Sequence, residues 1–151
     1  MLTVLAALKN TIHNEEELKQ LLNIPCLGQI LTVKQSRPSS AQLLVHKVKK
    51  STSFHESFQL LCMRVDKKMN AQGKQVLLVS SALPNEGKTT TAVNLAISLA
   101  QDGKKVLLFD CDLRNPSVAK YLGIKIVHSL TKYLNGEASI RDILCPTSIG
   151  N

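Results

Sequence analysis

The stretch Ser80-Ser81-Ala82-Leu83-Pro84-Asn85-Glu86-Gly87-Lys88-Thr89-Thr90-Thr91 decides how this chain is read. The apolar run Val76-Leu77-Leu78-Val79 leads into it, and an apolar-periodic segment from Ala92 to Ala100 leads out. Set against G-x-x-x-x-G-K-[ST], the match begins at Ala82, a small residue where the pattern has glycine, and ends at Gly87-Lys88-Thr89. Strand, loop and helix in that order predict a phosphate-binding loop. A helix that starts near Gly87 leaves its first backbone N–H groups without partners, and its dipole favours negative charge there. Gly87 lets the backbone come close to a phosphate. Lys88 reaches the β- and γ-phosphates, Thr89 offers a hydroxyl to Mg²⁺, and Thr90 offers one to the α-phosphate. An ordinary loop-to-helix junction can also carry Gly-Lys-Thr; the strand before it and the helix after it favour the phosphate loop over that reading.

Outward from the loop, Gln75 to Ser80 reads as a core strand, apolar without alternation, as expected of a parallel strand covered on both faces. The helix from Lys88 to about Gln101 sets Ala92, Leu95, Ala96, Leu99 and Ala100 on one stripe, and Asp102-Gly103 ends it. Lys105 to Asp110 is a second strand, which makes a right-handed parallel βαβ unit. At its carboxyl end, the ligand edge of an open α/β sheet, stands Asp110-Cys111-Asp112-Leu113-Arg114-Asn115-Pro116. Two carboxylates two residues apart beside a phosphate loop suit Mg²⁺ and a reacting hydroxyl: one holds the metal through water, the other orients or deprotonates the acceptor. The plainer alternative is a turn with strand-end caps. Beyond it, short helices are expected over Ser117–Leu122, His128–Leu134 and Ile140–Leu144.

The chain has 151 residues, enough for one domain with a core. Trp is absent and aromatics are few, so Leu, Val, Ile and Ala must fill that core. A formal net charge of +8 suits an anionic partner. No basic run is interleaved with aromatics, so a nucleic-acid surface is not expected. The spacing of Cys26, Cys62, Cys111 and Cys145 fits neither a zinc site nor a C-x-x-C pair, and they read as reduced thiols. No stretch approaches the ~20 apolar residues of a membrane span, and Met1 to Leu8 makes a poor signal peptide.

Upstream of the loop, Asn14 reads as the N-cap of a helix with Glu17 at the capping-box position, Leu18, Leu21 and Leu22 on its face and Pro25 as its stop. Residues 34–53, with Ser36-Arg37-Pro38-Ser39-Ser40 and the basic His46-Lys47-Val48-Lys49-Lys50, read as a linker. Phe54 to about Ala71 reads as a helix capped by Ser53. Phe58, Leu61, Cys62 and Val65 share one face, Leu60 widens it, and Gly73 ends it.

Taken together, these residues resemble the cytoplasmic domain of the bacterial tyrosine autokinases of capsule and exopolysaccharide export. Leu22-Asn23-Ile24-Pro25-Cys26-Leu27-Gly28 looks like the segment after the family's second membrane helix. Phe54-His55-Glu56-Ser57-Phe58 looks like the helix before its kinase core. Ser80 to Thr90 looks like its Walker A loop, with Pro84 and Glu86 included. Val106 to Pro116 looks like its D-x-D-x-R motif. Leu134-Asn135-Gly136 and Ile140 to Leu144 look like the L-x-G and s-l-x-d-l-l segments that come next in the family.

The resemblance implies an α/β fold, a doubly wound parallel sheet of the P-loop NTPase class with a deviant Walker A loop of the MinD/ParA kind, here incomplete at the C-terminus. It implies a juxtamembrane-like segment over 1–33, a linker over 34–53 and the first part of the kinase domain over 54–151. The cofactors implied are ATP and Mg²⁺. Lys88, Asp110 and Asp112 are the catalytic candidates, Pro84, Asn85, Glu86, Gly87, Lys88, Thr89 and Thr90 bind the nucleotide, and Thr89, Asp110 and Asp112 hold the metal. The family moves the γ-phosphoryl group of ATP to tyrosines of a neighbouring subunit. Its partners are a polysaccharide co-polymerase or membrane activator and further copies of itself, at the inner face of the plasma membrane.

The chain departs from the family in three ways. Where the ring-forming E-x-x-R-x-x-R stands, this chain has Glu56, Gln59 and Cys62, so the homo-oligomer expectation loses both arginines. The Walker B motif, an apolar run ending in D-x-P-P, is absent, as expected of a truncated chain. There is no tyrosine cluster: Tyr121 and Tyr133 are isolated and read as structural. Two other functions compete with the kinase, a non-catalytic nucleotide-binding regulator of a co-polymerase and a partition-type ATPase. The partition class carries a second lysine near the start of its loop, and Ser80 to Leu83 has none.

Overall fold

A computed structural model describes residues 15–31, 44–47 and 52–149. Six α-helices occur among them: α1 (Glu15–Leu22), α2 (Ser53–Ala71), α3 (Lys88–Gln101), α4 (Val118–Leu122), α5 (Leu130–Leu134) and α6 (Ile140–Ile143), with a 3₁₀ turn over Val45–Lys47.

The two long helices, α2 and α3, carry the core. Phe54, Phe58, Leu61, Cys62 and Val65 of α2 are buried against Val93, Leu95 and Ile97 of α3. Phe54 and Phe58 lie one turn apart, so their rings meet edge to face with centroids 5.0 Å apart. The expected face of α2 is therefore present, except that Leu60 points out and is 47% exposed. The cap is Thr52 rather than Ser53: its side-chain oxygen accepts from the His55 N–H at 3.3 Å. The α2 and α3 ends are joined by Lys104, whose Nζ lies 3.0 Å from Asp66 Oδ1.

Helix α3 begins and ends where the sequence predicts, but it is buried on more than the alanine stripe. Val93, Asn94, Leu95, Ile97 and Ser98 are its buried residues, while Ala92, Ala96, Leu99 and Ala100 are half-buried. Of the two polar members, Asn94 is fully enclosed: its Oδ1 accepts from the Val45 N–H at 2.7 Å and its Nδ2 donates to the Thr90 carbonyl at 2.9 Å. That bond anchors the 3₁₀ turn. Leu44 and Val45, inside the stretch expected to be a linker, are each only 1% exposed and belong to the core.

The segment before α2 docks as well. Leu27 and Ile30 pack on the core, Gly28 lies over Leu61, and Arg64 Nη1 donates to the Leu27 carbonyl at 3.2 Å. The Asn14 cap expected for α1 lies outside the described residues; the helix ends at Leu22, before Pro25.

The expected sheet is not seen. Residues 74–81 and 104–112 flank α3 as predicted, yet no β-ladder is formed among the described residues. Val76 is 90% and Leu78 83% exposed, where a strand covered on both faces was expected. A βαβ unit links two strands without requiring them to be neighbours. A strand whose neighbour is not its sequential partner forms no ladder with that partner.

Candidate functional site

The loop from Ser81 to Gly87 is shaped by its own side chains. Ser81 Oγ donates to the Leu83 carbonyl at 2.9 Å, and the Leu83 N–H donates to Glu86 Oε2 at 2.9 Å. Glu86 therefore braces the loop from within. Asn85 and Gly87 adopt left-handed backbone, with φ of 66° and 88°. At Gly87 a Cβ would meet nothing within 4 Å, so the glycine serves the backbone turn and leaves open space beside it. Helix α3 starts immediately after, and no side chain caps its N-terminus. Its first N–H groups are thus available to an anion.

The aspartates meet this helix start. Lys88 Nζ lies 3.5 Å from Asp112 Oδ2, with both side chains about one-third exposed. Asp112 Oδ1 also accepts from the Asn115 N–H at 3.1 Å, a local bond to the backbone three residues on that fixes the carboxylate. Asp110 is held by three N–H groups. Its Oδ1 accepts from Asp112 N at 3.2 Å, and its Oδ2 accepts from Ser117 N at 2.7 Å and Val118 N at 2.9 Å. The last two are the orphan donors at the start of α4, so this carboxylate caps that helix across the intervening turn. About four lone-pair positions exist on a carboxylate, so Asp110 keeps capacity for a water.

Two hydroxyl pairs complete the arrangement. Thr89 Oγ1 and Ser117 Oγ share a hydrogen bond of 3.2 Å, and Thr90 Oγ1 and the Tyr121 hydroxyl share one of 2.9 Å. Lys88, Thr89, Thr90, Asp110 and Asp112 are thus brought into one connected cluster. Asn85 and Pro84 remain exposed on the loop. Ser117, Tyr121 and Asn94 were not among the sequence candidates. Asn94 had a signal, an amide four residues beyond Thr90 within an apolar helix. Tyr121 had none, because nothing local ties it to a residue 31 positions earlier.

The donor set fits a nucleotide with a magnesium ion. Among the described residues no three His, Cys, Asp or Glu side chains gather into a metal cage. Mg²⁺ does not need one, since it takes one or two protein oxygens and fills its remaining positions with phosphate and water. Thr89, in the first turn of α3, and Asp112, paired with Lys88 of that turn, are the residues that would hold such an ion.

Residues 77–132 match the family model of the CobQ/CobB/MinD/ParA nucleotide-binding domain. The tyrosine-protein kinase CpsD of Streptococcus agalactiae is 32% identical over 109 residues, covering 72% of this chain and 47% of the relative. CpsD of Streptococcus pneumoniae is 35% identical over 112 residues, covering 74% of this chain and 47% of the relative. The tyrosine-protein kinase YwqD of Bacillus subtilis (strain 168) is 43% identical over 76 residues, 50% of this chain and 30% of the relative. The chain therefore spans about half the length of the CpsD relatives it matches. Among solved structures, the BceF tyrosine kinase domain superposes with a TM-score of 0.76 at 22% identity, over 92% of this chain and 59% of that one. The chimerical protein CapA2B2 superposes with a TM-score of 0.73 at 29% identity, over 91% of this chain and 57% of that one. The motifs and these matches agree: over the part that it spans, the chain is similar to the bacterial tyrosine-protein kinases, with a nucleotide-binding domain of the MinD/ParA kind.

Proposed function

We propose that the chain is the nucleotide-binding part of an ATP-dependent protein-tyrosine autokinase that regulates capsular or exopolysaccharide synthesis and export. The observation that carries this reading is the Lys88–Asp112 pair at the uncapped start of α3, 3.5 Å apart and open to solvent. An ammonium held by one exposed carboxylate is easily transferred to phosphate, where several oxygens share the charge.

In this reading Lys88 would hold the β- and γ-phosphates in place of Asp112, and the N–H groups from Gly87 to Thr90 would hold the remaining phosphate oxygens. Thr89 Oγ1 would be a protein ligand of Mg²⁺. Asp112, freed from Lys88, would either ligate the metal or accept the hydroxyl proton of the acceptor tyrosine. Asp110 acts through water while it holds α4 in place. Pro84, Asn85 and Glu86 keep the loop open to the phosphates. Bound Mg-ATP supplies the phosphoryl group and neutralises its charge. The division into 1–33, 34–53 and 54–151 belongs to the same reading, with Leu44 and Val45 of the middle segment seated on the nucleotide-binding part.

The partner in this reading is a membrane-bound co-polymerase or activator, which brings the domain to the inner face of the membrane. No helix among the described residues is long and apolar enough to cross a membrane. Self-association rests on contacts other than the family's arginine pair, since Gln59 and Cys62 occupy those positions.

Calorimetry with Mg-ATP and Mg-ADP tests the site. Binding that weakens at least about tenfold in Lys88→Ala, roughly 1.4 kcal/mol, supports it. No binding by a folded chain removes it. Transfer of phosphate to a separate tyrosine-rich peptide, abolished in Asp112→Asn, distinguishes a kinase from a regulator that only binds nucleotide.

A further inference from the structure

Helix α4 touches the phosphate-binding loop through hydroxyls rather than through charge. Thr90 Oγ1 and the Tyr121 hydroxyl are 2.9 Å apart, and both residues are half-buried. Thr90 is fixed from its other side as well, because its carbonyl accepts from the enclosed Asn94. Tyr121 packs its ring against the core. The position of α4 is itself set by Asp110, which takes the N–H groups of Ser117 and Val118. Neither Thr90 nor Tyr121 is therefore free to drift from the other.

A hydroxyl has one proton and two lone pairs. If the Thr90 proton is to point at a phosphate oxygen, Thr90 must accept from its remaining neighbour. Tyr121 is that neighbour, and a phenol is a better donor than an aliphatic alcohol. A donor that itself receives a hydrogen bond is polarised and binds its acceptor more strongly. We propose that Tyr121 is a positioning residue of the nucleotide site: its O–H donates to Thr90 Oγ1, so that the Thr90 proton is aimed at the α-phosphate. This rests on the nucleotide reading above and adds to it a residue that never touches the ligand.

The test is a double-mutant cycle read by calorimetry with Mg-ADP, on the wild-type chain, Tyr121→Phe, Thr90→Val and the double variant, with Lys88→Ala alongside. Tyr121→Phe keeps the ring and its packing. It is expected to weaken Mg-ADP about three- to tenfold, in line with the loss of one hydrogen bond that helps to orient another. Thr90→Val is expected to lose at least as much. In the Thr90→Val background, Tyr121→Phe is expected to change affinity less than about twofold, because the donor has already lost its acceptor. Thr90→Ser keeps the hydroxyl and is expected to restore the sensitivity to Tyr121→Phe. That restoration separates positioning from a general effect on stability, and thermal unfolding of each variant checks the fold.

Tyr121→Phe binding within twofold of wild type, with Lys88→Ala impaired, overturns the proposal and leaves the nucleotide site standing. Additive losses in the double variant overturn it also. A folded wild-type chain that binds no Mg-ADP overturns the nucleotide reading and this proposal together.

Discussion

Lys88 and Asp112 face each other at 3.5 Å at the start of α3, each about one-third exposed. An ion pair this open contributes at most about 1 kcal/mol to stability, since water and salt screen it. Its consequence is for binding: the carboxylate competes with phosphate for the ammonium. Asp112→Asn is therefore expected to leave the denaturation midpoint almost unchanged and to bind Mg-free ADP up to several-fold more tightly. Calorimetry in the presence of a chelator reads this. Weaker binding by Asp112→Asn without metal would show that the pair does not compete.

Asp110 has a different role from its neighbour. Three N–H groups converge on its carboxylate, two of them from the start of α4. Hydrogen bonds to a charged group each contribute about 1.5–3 kcal/mol, offset here by exposure and shared acceptors. Asp110→Ala is expected to destabilise the chain by about 2 kcal/mol, and Asp110→Asn by less, because its amide oxygen still accepts. Urea denaturation of both variants decides this. Equal and negligible losses would mean that α4 holds its place without the cap.

Asn94 is the most enclosed polar side chain among the described residues, with no exposed surface. Its amide connects Val45 of the 3₁₀ turn to the Thr90 carbonyl, across 49 residues on one side and a single helical turn on the other. Asn94→Ala leaves the Val45 N–H without that acceptor, and is expected to cost about 1–3 kcal/mol. Hydrogen exchange is the sharper readout: protection of the Val45 amide is expected to fall more than that of amides in the middle of α2.

Cys62 is buried, and burial pushes its thiol up to about 12 from an ordinary 9.0. The hydrogen bond its Sγ makes to Asp102 Oδ2 at 3.5 Å and the negative charges of Asp102 and Asp66 add to the shift, and Lys104 partly opposes it. Above about pH 9 the unfolded thiol ionises while the folded one stays neutral. The stability that this raised value represents is complete below pH 9 and is lost as pH rises toward 12. Wild type is thus expected to lose stability over pH 9–11 faster than Cys62→Ala, as read by urea midpoints. A thiol reagent at pH 8 is expected to label exposed Cys111 first, half-buried Cys26 and Cys145 next, and Cys62 only on unfolding.

Much of the site was legible from residues alone because its parts are local. The loop, the start of α3 at Lys88 and its end at Gln101 depend on residues within a few positions of one another. So do the short helices after Pro116 and the glycine or asparagine stops behind them. Turn chemistry and helix caps act over three or four residues, which is the range over which a sequence can be read directly.

The tertiary structure decided what lies between those parts. It seated Leu44 and Val45, from an apparent linker, beneath α3, and it turned Leu60 outward on an otherwise predicted face. It left Val76 and Leu78 exposed where periodicity expected a buried strand, because burial depends on what covers a segment and not on the segment. It paired Thr90 with Tyr121 and Thr89 with Ser117, 31 and 28 residues apart, and set Asp110 at the head of a helix rather than open toward solvent. Sequence determined which residues stand in the loop and motif patterns and roughly where the helices lie. Only the packing of α2, α3 and α4 decided which hydroxyl meets which, since a contact between distant residues is set by the whole fold that brings them together and by no pattern along the chain.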